Sequence, residues 1–99
     1  MRVDIRDDVL RRLAEDRSFM PKGWNQDVIR SFRKKLQLLE AAKDEREVRA
    51  WKSLHLEKLL GDRAGSSSIR LNDQYRLILR FETDDDGRFV VVLEIDDYH

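Results

Sequence analysis

The chain contains 99 residues, 40% of them apolar and 40% charged, and carries no formal net charge at pH 7, so we expect one domain spanning residues 1–99 with one modest core and no separate cofactor domain. The absence of cysteine excludes a disulfide framework and a thiolate metal site, and fits a reducing cytoplasm. The charged first residues and the lack of a long apolar run argue against a signal peptide and a membrane span.

The first half of the chain predicts one strand followed by helices. Residues 1–5 alternate as a short strand, and Asp7 or Asp8 caps a helix that ends before Pro21 and Gly23. This first helix is expected to turn three apolar side chains inward: Val9, Leu10 and Leu13.

A second, longer helix is predicted after Asn25, which caps it. Its apolar residues recur at spacings of three and four, which marks a single buried stripe: Trp24, Val28, Ile29, Phe32, Leu36 and Leu39. Its opposite face is basic and carries Arg30, Arg33, Lys34 and Lys35. Asp44 with Glu47 forms a capping-box pattern for a short helix that ends near Trp51.

After residue 53 the period of the apolar residues changes to two, which predicts strands. The alternation begins with Leu54 and Leu56 against His55 and Glu57, and turn pairs stand at 72–73 and 86–87. Two strands are predicted with these core faces: Tyr75, Leu77, Leu79 and Phe81 in one, Phe89, Val91, Leu93 and Ile95 in the other. Helices followed by an antiparallel meander predict an α+β fold with helices packed on one sheet face.

The charges are distributed unevenly along the chain. Between Lys22 and Lys35 there are five basic residues and one acidic residue, and from His55 to Arg80 there are five and three. From Phe81 to the end there are one and seven. A balanced total can therefore conceal a basic face suited to a nucleic acid, although solvated surface charge is the simpler explanation for any single Lys or Arg.

Strand parity brings reactive side chains toward one surface. Arg76 points away from its strand's predicted core face, Tyr98 shares the parity of Glu94 and Asp96, and His55 alternates with two leucines. Metal-free RNA cleavage needs a base for the 2′-hydroxyl proton, cations for the pentacoordinate phosphorane and an acid for the departing 5′-oxygen. Histidine and arginine suit these roles. Each residue alone has a plainer explanation, such as an ion pair of Arg76 with Glu94 or Asp96.

The order of several short segments resembles the HigB-type toxins of the RelE superfamily. The resemblance covers nearly the whole chain, is strongest in the second half, and includes the PKGW segment at 21–24. The matching segments are Leu54-His55, Lys58-Leu59, Gly61-Asp62-Arg63, Gly65, Ile69-Arg70-Leu71-Asn72, Gln74-Tyr75-Arg76-Leu77 and Asp97-Tyr98-His99.

This resemblance implies the toxin of a type II toxin–antitoxin module, with helices packed on a twisted antiparallel sheet. It implies an enzyme that enters the ribosomal A site and cuts translated mRNA without a metal or another cofactor, and a HigA-like helix-turn-helix antitoxin as partner. The implied catalytic residues are His55, Arg76, Asp97, Tyr98 and His99. Their implied roles are phosphate stabilisation for Arg76, acid–base chemistry for the histidines, nucleotide stacking for Tyr98, and support of a histidine or the 2′-hydroxyl for Asp97.

Residues expected to bind RNA or the ribosome are Lys58, Arg63, Arg70, Arg33 and Lys34. The chain departs from the family pattern in Ser66-Ser67-Ser68, where many relatives have a bulky residue, and in its neutral charge with an acidic run at 84–86. Two alternatives therefore stay open. One is a ParE-like toxin that inhibits DNA gyrase without nuclease residues, and the other is a degenerate relative that only binds its antitoxin.

Overall fold

The computed structural model of the protein describes residues 1–97, in which one five-stranded sheet carries the helices on one face. In chain order the elements are β1 (Arg2–Ile5), α1 (Asp8–Glu15), α2 (Gln26–Ala41), α3 (Glu45–Ala50), β2 (Glu57–Lys58), β3 (Ser67–Arg70), β4 (Tyr75–Asp84) and β5 (Gly87–Asp97). The strand order is β1-β5-β4-β3-β2, and only β1 runs parallel to its neighbour, β5. The predicted α+β class is confirmed, and the sheet is mixed because of β1.

The predicted starts of the first two helices are confirmed by side-chain caps. The Asp7 carboxylate accepts a hydrogen bond from the backbone N–H of Leu10 at 3.0 Å, and the Asn25 side chain accepts one from Asp27 at 2.7 Å. These bonds satisfy N–H groups that have no partner inside the helix. None of the described helices is long and apolar enough to cross a membrane.

The start of α3 is a variant of the predicted capping box. The Asp44 side chain accepts from the backbone N–H of Arg46 at 2.9 Å, as a cap should. The Glu47 side chain accepts from the backbone N–H of Lys43, one residue before the cap, also at 2.9 Å. Both carboxylates therefore fix the entry of the chain into this short helix.

The core lies between the helices and one face of the sheet. Two side chains predicted to be inside are partly exposed: Val9 by 41% and Trp24 by 36%. Trp24 precedes the cap of α2 and so stands outside the helical stripe. The fully or nearly fully buried core residues are Leu10, Leu13, Val28, Ile29, Phe32, Leu36, Leu39, Ala42, Val48, Leu54, Ile69, Leu71, Leu77, Leu79, Val90 and Val92.

The predicted core face of β5 is wrong for most of the strand because the strand contains a bulge. Leu79 pairs with Val92 but Ile78 pairs with Glu94, so one extra residue, Leu93, stands in β5. A bulge of this kind reverses the alternation of side chains. Val90 and Val92 therefore face the helices before the bulge, and Ile95 faces them after it.

The strand predicted to begin at residue 54 is also shorter than its alternation indicated. Lys52–Leu54 forms a 3₁₀ turn, and His55 follows in the left-handed region with φ 47° and ψ 55°. Of the segment after residue 53, only Glu57–Lys58 pairs with β3 before the chain enters β3 itself. Leu54 and Leu56 still pack inward, so an apolar pattern of period two arises here from a turn.

Candidate active site on the open face of the sheet

The face of the sheet turned away from the helices, called here the open face, brings polar side chains of three strands together. Arg76 in β4 stands opposite Arg70 in β3 and opposite Asp96 in β5. Residues opposite each other in neighbouring strands share a face. The strand register therefore places Arg76 on the face away from Leu77 and the core, as predicted.

Arg76 is held in place by hydrogen bonds within the protein. Its side chain is only 8% exposed, and its Nε donates to the hydroxyl of Ser68 at 2.8 Å. One of its terminal nitrogens donates to the backbone carbonyls of Ser68, at 3.3 Å, and of His55. Ser68 is itself fully buried. A buried guanidinium fixed by several acceptors is preorganised, because it loses little freedom when an anion binds.

His55 reaches the same place through an unusual backbone conformation. It is the only described non-glycine residue with a positive φ, and this turn points its carbonyl oxygen at Arg76 while its imidazole stays exposed. Histidine tolerates the left-handed region better than most residues, but at a cost of about 1 kcal/mol. Strain of this kind in a polar site is typical of functional residues.

These side chains line a shallow depression of about 230 Å³. Its walls are His55, Arg70, Asn72, Asp73 and Arg76. The turn between β3 and β4 shapes one wall, because the Asn72 side chain accepts backbone N–H bonds from Gln74 and from Tyr75, the first residue of β4. The depression gathers His55, Arg70 and Arg76 around a volume that admits a phosphate, and the Arg70 guanidinium is paired there with the Asp73 carboxylate.

A second arginine network borders the depression. Arg63 donates to Glu94 at 2.7 Å and to Asp96 at 2.6 Å, and so ties the segment Gly61–Arg63 to β5. The two carboxylates expected to pair with Arg76 are thus bound by Arg63. Because these groups are one-third to one-half exposed, this network contributes modestly to stability.

Three of the predicted RNA-binding residues lie away from the depression. Arg33 donates to the backbone carbonyls of Leu13, at 2.9 Å, and of residues 16 and 19, each at 3.1 Å, and so ties α2 to the end of α1. Lys34 is exposed on α2. Lys58 is exposed at the sheet edge, and its pairing with Ser67 gives it the parity of the helix-covered face.

The predicted C-terminal catalytic residues are described only in part. Asp97 is exposed at the end of β5, stands opposite Tyr75, and accepts a hydrogen bond from the side chain of Gln74 at 3.2 Å. Its register gives it the parity of the helix-covered face. Tyr98 and His99 lie outside the described residues.

A basic surface on α2 approaches the depression from the helix side. A broad concave area along this helix includes Arg17, Arg30, Lys34 and Lys35, with Glu40 as its acidic member. Burial lowers the pKa of Lys35, and the neighbouring charges of Lys34 and Arg70 lower it further. Arg70, which also lines the depression and is paired there with Asp73, therefore lies between the basic surface of α2 and the candidate site.

Sequence reasoning missed the residues that shape this site through the backbone and through buried contacts. In the sequence, Ser68 stands out only as a departure from the family pattern, and Asn72-Asp73 only as a turn. The alternation of side chains in β3 is a sequence signal that could have identified Ser68, because it puts this residue on the same face as Arg76. No sequence signal predicted the carbonyl of His55 as an acceptor. Within residues 1–97 no group of three or more acidic or histidine side chains is arranged to hold a metal ion.

Comparison with known proteins shows the family of the chain. The model of the HigB-like toxin family, described as RelE-like toxins of type II toxin–antitoxin system HigB, matches residues 3–99. A YoeB/ParE toxin from Agrobacterium tumefaciens superposes with a TM-score of 0.58 at 16% identity, with 100% of both chains covered, and shows the same fold. A chain of the RelBE2 toxin–antitoxin complex from Mycobacterium tuberculosis has a TM-score of 0.47 at 21% identity, over 98% of this chain and 96% of that one. No curated protein matches. Because the family model spans nearly the whole chain, this protein belongs to the HigB-like family of RelE-like toxins of type II toxin–antitoxin systems.

Proposed function

We propose that this toxin is a ribosome-dependent endoribonuclease that cuts translated mRNA in the ribosomal A site without a metal. The observation that carries the proposal is the depression in which His55, Arg70 and Arg76 meet, in a chain of the HigB-like family. An always-charged guanidinium that is already fixed suits the stabilisation of a phosphorane. An exposed imidazole beside it suits proton transfer near neutral pH.

The proposed reaction is an attack of the ribose 2′-oxygen on the adjacent phosphorus. The 2′-hydroxyl loses its proton to a base, the bond from phosphorus to the 5′-oxygen breaks, and an acid protonates that leaving oxygen. The products are a 2′,3′-cyclic phosphate and a 5′-hydroxyl. Arg76 stabilises the phosphorane, His55 and His99 share the acid and base roles, and Tyr98 supports them. The ribosome positions the message, so modest acid–base groups suffice.

The charge distribution supports a ribosomal substrate despite the neutral total. The acidic turn at 84–86 lies at the far end of β4, eight residues and so roughly 26 Å from Arg76. It is partly neutralised there, because Arg2 forms ion pairs with Asp84 at 2.5 Å and with Asp86 at 3.8 Å. The basic surface with Lys34 lies on the side of Arg70 and is available for rRNA. Lys58 and Arg63 are the remaining proposed RNA contacts.

The proposed partner is a HigA-like helix-turn-helix antitoxin, and the proposed site of action is the cytoplasm, where ribosomes translate. The partner follows from the family, since its members belong to toxin–antitoxin systems. The exposed basic surface of α2 would attract an acidic antitoxin segment by the same electrostatics that would attract RNA.

The test is induction of the protein in cells, with growth and transcript 5′ ends followed together. The variants are Arg76→Ala, Arg70→Gln and a chain lacking Tyr98 and His99, and the matched control is Arg49→Gln, an exposed arginine on α3. We expect growth arrest with new cuts in translated messages from the parent and the control, and loss of cuts in the other three. Because Arg76 is buried, the thermal stability of its variant is measured beside it.

Two other outcomes would assign the protein elsewhere. Growth arrest without new 5′ ends, together with loss of supercoiling activity when purified toxin is added to gyrase, would indicate a ParE-like target. Absence of arrest for the parent, with retained binding of the antitoxin, would indicate a degenerate relative. Either outcome contradicts the proposed nuclease.

A further inference from the structure

Arg80 is a cation on the open face that the proposed reaction does not use. It stands in β4 with the same parity as Arg76, and its Nε is buried without a hydrogen-bond partner. Within residues 1–97 its guanidinium makes neither a hydrogen bond nor an ion pair. An unsatisfied buried donor generally costs about 1–3 kcal/mol. The Nε of Arg80 therefore makes no polar contact that stabilises this fold.

The neighbours of Arg80 leave its charge uncompensated. Its partner across the strands, Val91, is a fully buried apolar residue. Glu82 follows two residues later on the same face, and no ion pair joins it to Arg80. Four other carboxylates of this face are bound by different arginines: Asp4, Asp84, Glu94 and Asp96. Glu57 in β2 also stands on this face, and no ion pair joins it to Arg80. A partly buried cation without a counter-ion is suited to an anion that arrives from outside.

The spacing of Arg80 from Arg76 selects the kind of anion. The two residues are four positions apart on one strand, which separates them by roughly 13 Å. Ile78 stands between them on the same face and is 2% exposed. This separation is between backbone positions, and two arginines so spaced on one face are suited to two anionic groups of one ligand. A polymer with a charge on every unit can contact both at once.

We propose that Arg80 binds a backbone phosphate of the same single-stranded RNA whose scissile phosphate lies at Arg76. The inference rests on the proposed nuclease function and extends its site along β4. The contact is to phosphate, so it fixes the register of the message in the site and reads no base. Arginine suits this role because its fork of donors binds two phosphate oxygens together.

The test uses purified protein and a short fluorescein-labelled oligoribonucleotide whose 2′-deoxy substitutions prevent cleavage. Affinity is measured by anisotropy at several salt concentrations for the parent, Arg80→Met, Arg80→Lys and the control Arg49→Met. One lost phosphate contact should reduce the slope of log K against log salt by about 0.7. We expect this loss for Arg80→Met, a smaller change for Arg80→Lys, and none for Arg49→Met.

Two further measurements separate binding from folding. The melting temperature of Arg80→Met should equal or exceed that of the parent, because the substitution removes an unsatisfied buried donor. Neutral methylphosphonate linkages, placed one at a time along the oligoribonucleotide, should weaken binding to the parent at one position where they leave Arg80→Met unaffected. A lower melting temperature with an unchanged salt slope would instead assign Arg80 a structural role and overturn the proposal.

The failures of the two proposals are distinguishable. If the parent cuts messages in cells and Arg80→Met binds the oligoribonucleotide and cuts as the parent does, the Arg80 contact is refuted alone. If the parent does not cut messages but Arg80→Met still loses salt dependence, the RNA contact stands and the nuclease function fails. Undetectable binding of the oligoribonucleotide by the parent at low salt would also overturn the Arg80 contact.

Discussion

Replacing Ser68 with alanine should destabilise the protein through Arg76 and not through packing. The Ser68 hydroxyl accepts the Arg76 Nε at 2.8 Å, and both side chains are buried. Removing the acceptor leaves a buried charged donor unpaired, which costs about 1.5–3 kcal/mol. The guanidinium keeps its bonds to the Ser68 and His55 carbonyls, so we expect the lower part of this range. A loss of about 2 kcal/mol lowers the melting temperature of a domain of this size by roughly 8–16 °C.

The assay is urea unfolding of four proteins followed by tryptophan fluorescence: the parent, Ser68→Ala, Arg76→Met and the double variant. The coupling energy between the two positions should be about 1–2 kcal/mol, because the hydroxyl loses its charged donor when Arg76 is replaced. Ser67→Ala is the matched control. It makes the same change one residue away on the other face and should cost less than about 0.5 kcal/mol. An equal cost of Ser68→Ala with arginine and with methionine at 76 would refute the positioning of Arg76 by this hydroxyl.

Three other predictions follow from single contacts. Arg88 donates a hydrogen bond to Glu45 and lowers the pKa of the Glu45 carboxyl in the folded protein. The pair therefore stabilises the fold at pH values above the pKa that Glu45 has in the unfolded chain. This contribution is lost as the pH falls through the lower pKa of the folded state. Glu45→Gln should thus lower the melting temperature by a few degrees at pH 7, with the difference vanishing in melts well below about pH 4. His55→Gly should be at least as stable as the parent in urea, because glycine adopts a φ of 47° without strain, and it should lose mRNA cleavage. A less stable variant would contradict the strain at this residue. Lys34→Gln should flatten the salt dependence of ribosome binding measured by sedimentation, and an affinity of the parent that does not change between low and moderate salt would contradict the electrostatic account.

The parts of the fold that depend on local chemistry were predictable from the sequence. Asp7 and Asn25 cap helices because their side chains satisfy free N–H groups, and that signal stands in a few adjacent residues. The face of β5 was not predictable in this way. Its run of three valines fits either parity, and only pairing with β4 shows that Leu93 is the extra residue of a bulge.

The candidate site divides along the same line. His55, Arg70 and Arg76 could be singled out by residue type, parity and resemblance, and the structure gathers all three in one depression. Ser68 could not be assigned because its role depends on a long side chain that reaches it across the sheet. Arg80 could not be assigned because its importance lies in the lack of a partner, which only the packed structure reveals.

The most direct test of the central claim is cleavage of a labelled mRNA by purified toxin in a reconstituted translation system. The mRNA is incubated with the parent or Arg70→Gln, either alone or on ribosomes with an empty A site, and the reaction is then stopped by denaturation. We predict cleavage within the A-site codon by the parent on ribosomes only, with a cyclic phosphate at the new 3′ end, and strongly reduced cleavage by Arg70→Gln. Intact mRNA on ribosomes exposed to a folded parent toxin would contradict the claim.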